Sequence, residues 1–188
     1  MDVILGSQSP RRRELMAGLD IPFIAVTIDA DESYPLDLRE GDIPRFISRA
    51  KAQAYLPKLK PNQLLITADT IVWLDGHMLG KPHDDEEAIA MLHRLSGRTH
   101  QVYTAVTLAQ QGCELETIVD RTDVTFATLT DEEILHYVSR YKPLDKAGSY
   151  GVQEWIGYIA CTGMKGSYFN VMGFPTHLVY PAVMRRIR

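Results

Sequence analysis

Apolar positions along this chain change their period several times, and each change marks an element. Val3 to Leu5 is a short apolar run entering Gly6, which predicts a buried strand. Ser9-Pro10 follows as helix cap and first helical position, and Leu15, Met16 and Leu19 supply the apolar side of a short helix ending near Gly18. Phe23 to Ile28 is extended in character and leads into the acidic segment Asp29-Ala30-Asp31-Glu32. From Asp42, the residues Ile43, Phe46, Ile47, Ala50 and Ala54 recur at helical spacing, and Pro57 closes that helix.

The second half alternates differently. Leu64 to Thr67 predicts a core strand ending at Ala68-Asp69-Thr70, Ile71 to Leu74 stays extended, and Asp75-Gly76 predicts a hairpin. Asp84 and Glu87 read as a capping box for a helix carrying Ile89, Met91, Leu92 and Leu95, with Gly97 as its C-terminal cap. Val102–Leu108 and Ile118–Phe126 predict an antiparallel pair around Gly112. Thr130 and Glu133 start a helix with Ile134, Leu135 and Val138 on its apolar face. Ile156 to Cys161 predicts a strand, and Pro175 precedes a last helix that Pro181 should kink or stop early. Helices alternating with strands, then strand pairs, indicate an α/β protein with a mixed sheet and flanking helices. Such folds bind ligands in loops at strand ends.

Composition narrows the function classes. With 188 residues, 45% of them hydrophobic and 23% charged, the chain is an ordinary globular protein read as one domain over 1–188. A formal net charge of −4 argues against a broad nucleic-acid-binding face. Cys113 and Cys161 lie far apart without CxxC spacing, so reduced, partly buried thiols are expected rather than a disulfide or zinc site. No run approaches the roughly 18 apolar residues of a membrane span. MDVILGSQSP does not read as a signal peptide, so the cytoplasm is the expected compartment.

Candidate chemistry concentrates in three places. In Gly6-Ser7-Gln8-Ser9-Pro10-Arg11-Arg12-Arg13, a strand feeds a small-residue turn and then a helix N-terminus. Its free N–H groups favour an anion, Ser7 and Ser9 add hydroxyls, and the arginines add forked donors. A capped helix with solvated arginines explains the same residues equally well. The Walker pattern G-x-x-x-x-G-K-[ST] is absent. Asp69, expected at a strand end, is suited to orienting water or holding a metal, although an isolated aspartate there more often caps a turn. Asp31-Glu32 adds carboxylates, and Lys51 and Lys81 add cations, the combination a metal-bound triphosphate needs; a lone lysine is usually solvated surface. Gly148 to Gln153 has two close glycines and ends in an amide that can both donate to and accept from a base edge. The six histidines show no ligand spacing and read as surface or locally hydrogen-bonded; Trp73 and Trp155 read as packing residues.

These segments occur in a familiar order. SQSPRR at Ser7–Arg12, Asp31-Glu32, RAKA at Arg49–Ala52, ADTIV at Ala68–Val72 and GKP at Gly80–Pro82 come first. LSGRTHQVYTAV from Leu95, DKAGSYGVQ from Asp145 and GSYFNVMGFP from Gly166 follow. Across nearly its whole length the chain resembles the Maf family of nucleotide pyrophosphatases, most closely the dTTP/UTP branch. The resemblance implies a two-lobed, inosine-triphosphate-pyrophosphatase-like fold around a central cleft. It implies hydrolysis of dTTP and UTP to monophosphate and pyrophosphate with Mg²⁺ or Mn²⁺, a house-cleaning role, and it allows a homodimer. By motif position, Asp69 is the catalytic proton acceptor; Arg11, Thr70 and Gln153 bear on substrate choice. Ser7, Arg12, Lys51 and Lys81 match phosphate-holding positions, and Glu32 joins Asp69 near the metal. Two alternatives remain: a nucleotide-binding regulator of cell division, and the same chemistry on 7-methyl-GTP. Three residues depart from the family pattern: Gly6 where alanine is frequent, Glu154 where glycine is common, and Phe174 where leucine is usual.

Overall fold

The computed structural model describes residues 1–188. Seven strands form one mixed sheet in the order β2-β1-β3-β5-β6-β7, with β4 paired to β3. They are β1 (Asp2–Gly6), β2 (Phe23–Val26), β3 (Gln63–Leu74), β4 (His77–Leu79), β5 (Thr99–Ala109), β6 (Glu116–Phe126) and β7 (Cys161–Lys165). The chain divides into two compact units. The first comprises Met1–Thr70, Thr104–Asp120 and Gly173–Arg188, the second Ile71–Tyr103 and Arg121–Met172.

In the first unit β1 runs parallel to both β2 and β3, with Val3 opposite Phe23 and Leu64. Successive side chains along β3 go to opposite faces. Leu64, Ile66 and Ala68 join Val3 and Leu5 in a core closed by Met16 of α1 (Pro10–Ala17), Phe174, and Val179, Ala182 and Val183 of α7 (Thr176–Ile187). Leu65 packs on the other side with Ile4 and with Ala52 of α2 (Asp42–Tyr55). Because β3 is covered on both faces, it reads as a continuous apolar run. The same alternation puts Asp69 on the α2 side, along with Leu65 and Thr67, whose hydroxyl donates to the Ser48 carbonyl at 2.7 Å.

Several expected boundaries move. Asp69 lies within a single 12-residue strand and does not end one, because Thr70 to Leu74 continue extended. In α2, Phe46 and Ala54 face solvent, and Ile43, Pro44, Ile47, Ser48 and Ala52 form the buried face. Helix α7 runs through Pro181 to Ile187. Pro181 and His177, whose carbonyl loses its donor, are both exposed, so water can take that bond.

In the second unit, Asp75 and Gly76 take φ of 52° and 78°, as a tight hairpin between β3 and β4 requires. Asp84 caps α3 (Asp85–Leu95) by accepting from the Glu87 amide at 2.8 Å, but the Glu87 carboxylate returns to the His83 amide and not to Asp84. Thr130 and Glu133 form the full reciprocal box on α4 (Asp131–Tyr141). On α4, Leu135 is exposed and Tyr137 is buried in its stead. The predicted strand at Ile156–Cys161 is instead helix α5 (Trp155–Ala160), and β7 begins only at Cys161. Ile156 and Ala160 are buried at a four-residue interval while Tyr158 and Ile159 face water, which is helical periodicity in an apolar run. Short α6 (Tyr168–Val171) follows β7. Cys113 is exposed and Cys161 part-buried, both as free thiols. No helix is long and apolar enough to cross a membrane.

His100 departs from the surface reading of the histidines. It is fully buried, with Nε2 2.7 Å from the Tyr150 hydroxyl and edge contacts to Phe126 and Tyr150. Burial pulls its pKa from 6.5 down to about 4, so the folded protein holds it neutral while the unfolded chain protonates first. The stability it confers is complete above pH 6.5 and is lost as pH falls towards about 4. Denaturant melts across that window should show an extra loss approaching ~1.4 kcal/mol per pH unit. The slope should flatten in His100→Gln; an unchanged slope would assign the acid sensitivity elsewhere.

Candidate active site

Two helices, one on each face of β3, deliver the charged groups of the first unit. On the α2 face, Ser48 and Lys51 sit one turn apart, so a helix seated on Thr67 through Ser48 carries Lys51 to the next inward position, Asp69. Lys51 Nζ donates to Asp69 Oδ1 at 2.9 Å and lies 2.9 Å from Glu32 Oε1. Asp69 is only 9% exposed. Burial pushes its pKa above the usual carboxylate value, and the positive charges of Lys51 and Arg12 oppose that push. Glu32 is far more open, so its bond to Lys51 is weak as a stabiliser and free to exchange. Its neighbour Asp31 turns to the backbone instead, accepting from the amide and hydroxyl of Ser33 at 2.9 and 2.8 Å, which fixes the acidic turn.

On the opposite face, the helix start is built as the sequence indicates. Ser9 caps α1 by accepting from the Arg12 amide, and buried Ser7 accepts from the Ser9 amide at 3.2 Å. Arg12 then reaches inward. Its Nε donates to the Gly173 carbonyl at 2.9 Å, Nη1 to the Ala68 carbonyl at 3.0 Å and Nη2 to the Thr70 hydroxyl at 2.9 Å. Thr70 is held again by Thr104 at 3.0 Å. Gly173 takes φ of 102°, and a Cβ there would stand 3.1 Å from the Thr70 hydroxyl, so the clamp closes only around glycine. Arg12 therefore grips the residues on both sides of Asp69, a role that sequence reasoning, which gave it to phosphate, did not find. Burial lowers the Arg12 pKa from its ordinary value; Asp69 and Glu32 oppose that shift and neighbouring Arg11 adds to it.

Asp69, Lys51, Glu32, Arg12 and Thr70 are thus brought together in the first unit, with Arg11 and Ser7 at the start of α1. Lys81 and Gln153 belong to the second unit. There, exposed Lys81 follows Gly80, whose carbonyl accepts from the Gly148 amide at 3.0 Å, and this ties the Gly80-Lys81-Pro82 segment to the Gly148 loop. Gln153 is part-buried, and its Oε1 is sealed from solvent with no donor in the protein. No group of three or more His, Cys, Asp or Glu side chains converges as a metal cage.

These features define an α/β protein with a buried, cation-flanked carboxylate on a central strand. The fold is shared with a Ham1 protein from Staphylococcus aureus, at a TM-score of 0.52 and 14% identity over 68% of this chain and 72% of that one. More specifically, the chain belongs to the Maf family: the profile described as "Maf-like protein" matches residues 2–186. A relative from Bacteroides thetaiotaomicron named dTTP/UTP pyrophosphatase is 52% identical over 95% of this chain and 92% of its own length. One of the same name from Porphyromonas gingivalis is 53% identical over 95% of this chain and 90% of its own.

Lysine in place of Arg12 keeps the charge but cannot serve three acceptors at once. Arg12→Lys should lower unfolding stability by about 2–3 kcal/mol in denaturant melts. A loss below about 0.5 kcal/mol would show that the fork bears no weight.

Proposed function

We propose that this protein is a pyrophosphatase that cleaves dTTP and UTP between the α and β phosphates, yielding monophosphate and pyrophosphate. Clearing those nucleotides, and modified pyrimidine triphosphates, from the pool is its house-cleaning role. The observation that carries the reading is Asp69: a carboxylate 9% exposed, hydrogen-bonded by Lys51, in a chain half identical to proteins of that name.

In this reading Asp69 takes a proton from the water that attacks the α-phosphorus, and the bond to the bridging oxygen breaks as pyrophosphate leaves. Burial makes Asp69 more basic than a surface carboxylate, while Lys51 and Arg12 oppose that push, a balance suited to a general base. Ser7, Lys51, Lys81 and the N–H groups of Arg12 not engaged by Gly173, Ala68 and Thr70 hold phosphate oxygens, helped by the α1 N-terminus. Arg11, Thr70 and Gln153 bear on substrate choice. Gln153, part-buried, carries an amide suited to base reading, because uracil and thymine present an N–H between two carbonyls and an amide can answer both groups.

A divalent cation, Mg²⁺ or Mn²⁺, fits the carboxylates present. Asp69 and Glu32 already meet at one positive group, the Lys51 ammonium, and Mg²⁺ is commonly held by one or two carboxylates plus substrate phosphates. When bound it would neutralise phosphate charge and polarise water.

A pyrophosphate-release assay over normal and modified triphosphates, including 7-methyl-GTP, tests the assignment. Asp69→Asn should cut turnover of dTTP by about 10²–10⁴-fold, with nucleotide affinity kept within a few-fold. Undiminished turnover would remove Asp69 from the mechanism. Gln153→Ala should shift the dTTP:GTP ratio of kcat/KM towards GTP, and a constant ratio would rule out base reading.

A further inference from the structure

The turn that carries Gln153 is held by a side chain from a different element. Glu154 N–H donates to the Gly151 carbonyl at 3.0 Å, closing a four-residue turn, Gly151 to Glu154, with Gln153 inside it. The Tyr137 hydroxyl reaches both ends. It accepts from the Gly151 amide at 3.0 Å and donates to Glu154 Oε2. The other Glu154 oxygen lies 3.1 Å from Lys146 Nζ, which also donates to Asp145 at 2.8 Å. Glu154 precedes α5 as its cap residue, yet its side chain makes no cap bond, because the carboxylate is committed to Tyr137 and Lys146. The turn is tight: a Cβ on Gly151 would stand 3.0 Å from Gln153 Nε2 and 3.1 Å from Lys146 Cε.

We propose that Tyr137 is a positioning residue for base selection, its hydroxyl locking both ends of the Gly151–Glu154 turn and so fixing how Gln153 is presented. This rests on the reading of Gln153 as base reader. Tyr137 is itself firmly held. It is fully buried on α4, whose start is fixed by the Thr130–Glu133 box, and its ring stacks on Tyr141 at 5.1 Å. Two partners flank one buried hydroxyl, so its removal leaves the buried Gly151 amide and the part-buried Glu154 carboxylate each short of a bond. Glu154 is the acceptor that completes the lock.

The test compares Tyr137→Phe, Gln153→Ala and the double variant by kcat/KM for dTTP and GTP, with thermal melts of each. Tyr137→Phe should lower the dTTP:GTP ratio by roughly three- to tenfold, the worth of one hydrogen bond. The change should lie in KM for dTTP, with kcat at saturation within about twofold. In the Gln153→Ala background the same substitution should leave the ratio unchanged, an outcome that general loosening of the core would not produce. If Gln153→Ala itself leaves the ratio alone, base reading fails and the inference falls with it. If Gln153→Ala shifts the ratio and Tyr137→Phe does not, only the role of Tyr137 is overturned. An equal effect of Tyr137→Phe with and without Gln153 also overturns it. Should Tyr137→Phe not fold, Glu154→Ala is expected to reproduce the loss of ratio, and Glu154→Gln, which keeps an acceptor oxygen, to restore it. Equal ratios in those two would refute the lock.

Discussion

Burying a carboxylate is costly unless other charges replace its hydration, and at Asp69 that requirement shapes much of the first unit. Lys51 supplies the direct partner at 2.9 Å, and Arg12 contributes its field from the other side of the strand. The two cations arrive by different routes. Lys51 comes on a long amphipathic helix packed over Leu65 and Thr67, while Arg12 comes from the first turn of a short capped helix. Taking either away would leave the carboxylate under-compensated in a site that water barely reaches. Burial of this kind is tolerated where function needs a basic group and is otherwise costly.

The alternation of β3 is what makes the arrangement possible. Odd positions from Leu65 to Asp69 face α2, and even positions from Leu64 to Thr70 face the α1 and α7 side. One strand can thereby offer a carboxylate to one helix and a hydroxyl plus a carbonyl to the guanidinium of another. A register slip of one residue would exchange these faces, and both apolar clusters oppose such a slip. Packing and chemistry on this strand are consequently the same constraint.

In the second unit the organising element is a loop whose backbone is pinned by side chains. Gly148 takes φ of 67° with Val72 methyls close by, and Gly151 leaves room for Gln153, Glu154 and Lys146 to crowd together. Gly157 plays the corresponding part at the start of α5, where a Cβ would meet the Val152 carbonyl at 1.8 Å. At Gly6 the apolar neighbour is the flexible end of Ile28, which stands 2.3 Å from where a Cβ would be, so alanine there requires that side chain to move. Phe174 is a fully buried member of the main core.

Local rules made many elements legible. The Ser9-Pro10 start, the Asp75-Gly76 hairpin, the Thr130–Glu133 box and the apolar runs of β1 and β3 each follow from spacing over a few residues, where cap and turn chemistry is decided. Motif order marked the family in the same way. Longer-range facts were not available from spacing. Ile156 to Cys161 is apolar enough for strand or helix, and only the burial of Ile156 and Ala160 with exposure of Tyr158 selects helix. That β3 runs unbroken through Asp69, that Tyr137 and not Leu135 faces inward, and that His100 is sealed against Tyr150 depend on what packs opposite. The same holds for the residues of interest. The sequence by itself determined that carboxylates, cations and a helix start were present in one chain. Only tertiary structure decided that Arg12 turns inward to clamp Gly173, Ala68 and Thr70, and that Asp69 is shielded beside Lys51. Residues far apart in the chain meet through sheet register and helix seating, and neither is encoded in any single short stretch.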